Sequence, residues 1–205
     1  SDWSSDVCSS DLVSSPSWDN GLVINGLVIN AGAVTWCDGT GPTSTAVSIT
    51  NSLVGSTTSE NAGSDGVVVL ANGNYLVRTP NWDNGSATSA GAITFGSGVG
   101  GTVGVISSAN SLVGSSTNDD VGGWGVVALS NGNYVVQSPY WNSGSMLDVG
   151  ATTWGSGSTG VSGVVSSSNS LVGSSSNDRV GYESTREVGE SNYVTSTQWW
   201  KNGTL

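Results

Sequence analysis

The pentapeptide Asn-Ser-Leu-Val-Gly begins at Asn51, again at Asn110 and again at Asn169, so the chain repeats at one constant interval. An interval that long marks a whole supersecondary unit, which cannot bury its apolar face alone and has to stack on further copies of itself. Other landmarks keep the same spacing: Tyr75, Tyr134 and Tyr193; Trp82, Trp141 and Trp200; Gly32, Gly91 and Gly150; and an acid at Glu60, Asp119 and Asp178. The frame is a partial repeat over 13–50, full repeats over 51–109 and 110–168, and a partial, degenerate repeat over 169–205.

Trp18 departs from the interval, standing too far ahead of Trp82 by the length of one pentapeptide. The surplus matches a tandem duplication, Gly21-Leu-Val-Ile-Asn25 followed by Gly26-Leu-Val-Ile-Asn30. The insertion falls between two predicted strands, where a surface loop absorbs it at little closure cost.

Residues 1–12 stand outside the repeat. Asp2-Trp-Ser-Ser-Asp-Val-Cys-Ser-Ser-Asp-Leu12 resembles the conceptual translation of a common sequencing-library adapter, so this stretch is expected to be non-native and to pack nowhere, Trp3 included. The chain is read accordingly as an assembled, metagenomic gene fragment, with any signal sequence outside it.

Composition narrows the class. There is no His, and four basic residues face fifteen acidic ones, for a net charge of −11, with Asp2, Asp6 and Asp11 inside the adapter-like stretch. Nucleic acid is excluded as a partner because phosphate neutralisation needs clustered Lys and Arg. No apolar run is long enough for a membrane span. Abundant Gly, Ser, Thr and Asn alone would suit a disordered chain, but regular apolar alternation and nine Trp, only Trp3 of them adapter-like, point to packed β structure.

Within one copy the strand signals are short and evenly spaced. In the middle copy Val126-Val-Ala-Leu129 and Asn133-Tyr-Val-Val-Gln137 flank Ser130-Asn-Gly132, which predicts a hairpin with a type I′ turn whose tip faces solvent. Gly150-Ala-Thr-Thr-Trp154, Gly163-Val-Val-Ser166 and Ser170-Leu-Val-Gly173 follow. No segment has a helical period. In the last copy Glu183-Ser-Thr-Arg-Glu-Val-Gly-Glu190 replaces the first strand, so that strand is not expected. Short antiparallel strands repeated at this spacing predict an all-β fold, a β-propeller fragment of about three four-stranded blades forming an open arc. A parallel β-helix is the alternative.

The order Ser111-Leu-Val-Gly114, Asp119-x-Val121-Gly122, Val126-x-Ala128, Val135-Val-x-Ser-Pro139, Asn142-x-Gly144, Gly150-Ala-x-Thr-Trp154 resembles the FG-GAP repeat of integrin-α-type β-propellers, or a bacterial repeat family with the same blade plan. The resemblance implies a propeller and a role in adhesion. That family's calcium loop is missing here: Leu70-Ala-Asn72-Gly-Asn74 and Leu129-Ser-Asn131-Gly-Asn133 are too short and carry no acid for an ion wanting six to eight oxygens. No cofactor or metal site is expected.

Two readings of the recurring residues stand side by side. Trp82 and Trp141 either pack between blades or form a stacking platform for a sugar ring, with Asp83, Asn84 and Asn142 as polar neighbours; these five are the candidate ligand-binding residues. The acids at Glu60, Asp119 and Asp178 serve turns or solubility. Cys37 takes the place of Gly96 and Gly155 in one copy and is given no role. With no His and no constellation confined to one copy, no catalytic site is expected. The functional expectation is an extracellular binding or adhesion module of a larger bacterial surface or secreted protein, with a glycan or a cell-surface protein as ligand and neighbouring blades of the parent chain as partners. A structural spacer is the alternative, and a non-catalytic part of a secreted hydrolase a further one.

Overall fold

The computed structural model describes residues 12–23, 26–41 and 43–201, and among these there is no helix, hence none long and apolar enough to cross a membrane. Counted in structural units that each close with the Ser-Leu-Val strand, rather than open with it, the first repeat contributes β1 (Leu12–Ser15), β2 (Asn20–Val23), β3 (Gly26–Val28), β4 (Ala33–Trp36) and β5 (Ser52–Val54). The second contributes β6 (Val67–Val69), β7 (Tyr75–Thr79), β8 (Ala92–Gly96), β9 (Gly104–Val105) and β10 (Ser111–Val113). The third gives β11 (Gly125–Ala128), β12 (Tyr134–Ser138), β13 (Ala151–Gly155), β14 (Gly163–Val164) and β15 (Leu171–Val172), and the last gives β16 (Ser184–Val188) and β17 (Asn192–Ser196).

These strands build an open, propeller-like arc. The sheets run β1-β4-β5-β9, then β6-β7-β8-β10-β14, then β11-β12-β13-β15, with β16-β17 beyond. In the first two blades an antiparallel meander receives one short parallel strand from the next repeat. Thus β9 joins β5 with Leu53 opposite Gly104, and β14 joins β10 with Leu112 opposite Gly163. That makes the middle blade five-stranded rather than four-stranded, an addition invisible in local pattern because the strand leaves its own repeat to pair.

Strand residues alternate between two cores. Leu76, Ile93 and Leu112 face the third blade, packing with Tyr134, Val136, Trp141 and Ala151. Tyr75, Val77, Ala92 and Val113 face the first, packing with Val34 and Leu53. Both faces of the middle blade are therefore covered, so its strands are apolar without strict alternation.

The blades touch most closely where the loop between the recurring Trp and the following strand meets the turn that opens the next repeat. Val121 N donates to Ala90 O (3.1 Å), Asn118 N to Thr88 O (2.9 Å) and Gly114 N to Gly91 O (3.1 Å). Gly91 holds φ +78, and a Cβ there would lie 2.3 Å from Val121 N. Gly32 and Gly150 repeat the contact, with Cβ approaches of 2.1 and 2.2 Å to Ala62 N and Val180 N. No side chain fits.

A second steric rule explains Cys37. Tyr75 lies opposite Gly96 and Tyr134 opposite Gly155, and a Cβ on either glycine would fall 2.1 Å from the ring. No tyrosine precedes Tyr75 in the sequence, so the first blade has no counterpart of that ring and the buried Cys37 is accommodated.

Four expectations are corrected. The hairpin tips are three-residue loops: Gly73 N donates to Leu70 O and Leu70 N to Asn74 O, with positive φ at Gly73 (+86) alone in the loop. Asn72 stays out of the left-handed region while its Oδ1 accepts Asn74 N at 3.1 Å, and the second loop does the same with Asn131 and Asn133. Leu12, assigned to the unpacked segment, pairs with Trp36 in β1 and packs against the first core, since any apolar residue can serve a strand edge. Trp3 and the rest of 1–11 lie outside the described residues. The last copy does form its first strand, because backbone pairing of β16 with β17 tolerates the changed side chains. Finally, the duplicated pentapeptide pairs with itself as the hairpin β2-β3 rather than forming a plain loop, and replaces the tight Asn84–Ala87 turn of the second repeat.

Gly91→Ala should cost about 3 kcal/mol or more in denaturant unfolding, whereas Gly85→Ala, also at positive φ (+62) but with open space around it, should cost about 1 kcal/mol. Equal costs would show that the close approach of blades contributes nothing.

Candidate functional site

The residues expected to bind ligand are placed in the joints between blades. Trp82 and Trp141 are each 5 % exposed, one in each core. Neither ring has a face in solvent, so the expected stacking platform is not formed by these two. The packing reading accounts for them, because each ring fills the gap between stacked blades. Asp83 Oδ1 accepts Ser89 N (2.9 Å) and Oδ2 accepts Thr57 Oγ1 (3.2 Å), while Asn84 Nδ2 donates to Gly114 O (2.9 Å). Asn142 is buried and donates both its backbone N (3.0 Å) and Nδ2 (2.7 Å) to Asp119 Oδ1.

The recurring acid is the centre of that joint. Asp119 is fully buried; its Oδ2 accepts Ser115 N (2.8 Å) and Ser116 N (2.9 Å), tying its own turn, and its Oδ1 reaches Asn142 of the next blade. Burial raises its carboxyl above the usual range, and the four N–H donors hold the rise in check. Glu60 does the same work toward Ser56 and Asp83 N, and Asp178 toward Ser174, Ser175 and Lys201 N. The turn reading was right and incomplete: the acid also bonds across to the following blade, a contact that spacing alone does not display.

A second set of aromatic side chains reaches the surface. Trp124 and Trp199 are 40 % and 37 % exposed, and with Tyr140 and Tyr182 they form one cluster. Trp124 stacks on Tyr182 (centroids 4.4 Å apart), Tyr140 meets Trp124 edge-on (5.8 Å), and Tyr182 meets Trp199 at 4.7 Å. Arg179 lies 5.7 Å from the Tyr140 ring centre and 5.8 Å from those of Tyr182 and Trp199, while its Nη2 pairs with Asp148 Oδ2 at 2.8 Å. The equivalent positions one repeat earlier are Asp65 for Trp124, Asn81 for Tyr140, Gly123 for Tyr182 and Asp120 for Arg179. Sequence reasoning sought residues that recur within each copy; this cluster draws Trp124 and Tyr140 from one copy and Arg179, Tyr182 and Trp199 from the next, Trp199 taking the place of Tyr140, and its other four members are visible as places where a later copy departs from the one before it.

Two clefts flank the Arg179–Asp148 pair. One, about 290 Å³, is lined by Ser89, Asn118, Asp120, Tyr140 and Asp148; the other, about 230 Å³, by Asn177, Arg179 and Trp199. The lining combines aromatic surface with carboxylates and amides. Among the described residues no group of three or more His, Cys, Asp or Glu is placed to hold a metal ion.

Asp120 is the electrostatically strained member. Burial, reinforced by Asp65 and partly relieved by Arg78, lifts its carboxyl from 3.8 to about 6. The folded state thus holds this proton more tightly than the unfolded chain, so the contribution is fully present below about pH 4 and lost as pH rises through about 6. Asp120→Asn, at a φ of +52 that asparagine tolerates, should therefore gain about 1 kcal/mol over the parent at pH 7, after solvent screening at a partly buried site, and little at pH 4. Melting curves at the two pH values measure the difference.

A comparison with curated proteins gives no match. A family model described as "Repeat of unknown function (DUF5650)" matches residues 12–64, 69–123 and 128–182. The first match starts with β1 and the other two at a hairpin, and each runs through the buried acid to just past the glycine that follows it, so the unit contains the Trp and the carboxylate of one joint. With most of its length in these three stretches, the chain belongs to that repeat family.

Proposed function

We propose that this chain is a repeat-built, non-catalytic binding module of a larger extracellular bacterial protein, and that it binds carbohydrate at the surface where the repeat is broken. The observation that carries this reading is the Trp124–Tyr140–Tyr182–Trp199 cluster around Arg179, with Trp124 and Trp199 exposed and two clefts beside it. Exposed aromatic groups on a rigid scaffold cost little entropy to present and are where recognition concentrates. Asp120, Asp148 and Asn118 supply acceptors and donors for sugar hydroxyls. The acidic, Lys-poor composition and the likeness to FG-GAP propellers support a place at the cell surface or in the medium.

A structural spacer is the second reading, favoured by the burial of Trp82 and Trp141 and by the use of every recurring acid inside a joint. A glycan array separates the two. The binding reading expects retained glycans, with Trp199→Ala and Tyr140→Ala each weakening binding about five- to tenfold, the worth of one aromatic contact, while circular dichroism shows the fold intact. An array with no retained glycan leaves the spacer.

A further inference from the structure

At two joints a segment crosses from one blade to the blade before it, and three contacts receive it each time. The edge strand takes it up in parallel: Ile106 N donates to Val54 O and Val165 N to Val113 O, both at 3.0 Å. A glycine covers an aromatic ring, Gly101 against Trp36 and Gly160 against Phe95. A tyrosine hydroxyl accepts the segment's backbone N–H, Tyr75 from Thr102 N (3.2 Å) and Tyr134 from Val161 N (3.1 Å).

The third joint has the same three receivers with nothing upon them among the described residues. Leu171 on β15 is 57 % exposed, where Leu53 and Leu112 are 1 % and 0 %. Trp154, in the place of Phe95, is 45 % exposed, and Tyr193, in the place of Tyr134, is partly exposed. An edge strand with unpaired backbone groups is a template for another strand.

We propose that β15, Trp154 and Tyr193 together form a strand-accepting site for a Gly-Val-Val-Ser segment of a further repeat of this family, bound parallel with its glycine opposite Leu171. The register follows from Leu53–Gly104 and Leu112–Gly163, and places the second Val N–H on Val172 O. The glycine three positions ahead of the tetrapeptide covers Trp154, as Gly160 covers Phe95. The occupant is specified by chemistry. A side chain at that upstream glycine would strike the ring, and the tetrapeptide's own glycine adopts φ +97 and +98 in the two filled joints.

The test is titration of the full chain with the nonapeptide Thr-Gly-Val-Ser-Gly-Val-Val-Ser-Ser, the sequence of residues 159–167. Saturable binding with a Kd on the order of 1 mM or tighter, with a blue shift of tryptophan emission that is absent in Trp154→Phe, is expected. The same peptide carrying Pro in place of its final Val should bind at least roughly tenfold more weakly, because Val172 O loses its donor. Leu171→Lys in the chain should weaken binding as well. Absence of saturable binding, equal binding of the proline peptide, or binding unchanged by Leu171→Lys overturns the proposal.

Discussion

A sheet of strands two to five residues long cannot stabilise itself, so each blade here depends on a blade packed beside it. Isolated short strands are marginal in water, and burying both faces of each sheet supplies the missing apolar contact. The middle blade shows the consequence: Leu76, Ile93 and Leu112 belong to one core, Tyr75, Ala92 and Val113 to the other. Where no neighbour covers them, the same positions become exposed, as Leu171 and Trp154 demonstrate.

Stacking at that distance brings backbone against backbone, and the joint is specialised for it. Gly32, Gly91 and Gly150 remove the Cβ that would collide, while a buried acid gathers the N–H groups that the loops cannot pair among themselves. A buried carboxylate is costly unless fully hydrogen-bonded, and Asp119 accepts four N–H groups. The parallel strands β9 and β14 then tie each of two blades to its predecessor, so pairing as well as packing crosses those joints.

Recurring and departing residues thereby occupy different places in the structure. Those that recur at the fixed interval are used inside the joints, which is why Trp82, Asp83, Asn84, Trp141 and Asn142 present so little to solvent. Those that depart from the repeat, Trp124, Tyr140, Arg179 and Tyr182, are free of that duty and gather on one surface. The Arg179–Asp148 pair and the strained Asp120 carboxyl add charge to a face that is otherwise aromatic.

The all-β class, the repeat, the open arc and the place of the duplicated pentapeptide between blade strands were legible in the residues, because short apolar runs, turn signals and a fixed interval are local features. The need for glycine at 32, 91 and 150 could be seen as recurrence but not understood, since its cause is the backbone of the following repeat, met only when the blades stack. The three-residue hairpin loops and the first strand of the last copy rest on local backbone pairing that residue types alone did not reveal, while the pairing of Leu12 and the strand lent to the preceding blade were decided by tertiary contacts. So was the candidate site. Spacing along a chain shows which residues each copy needs; only the stacking of blades determines which rings are buried by a neighbour and which are left facing water.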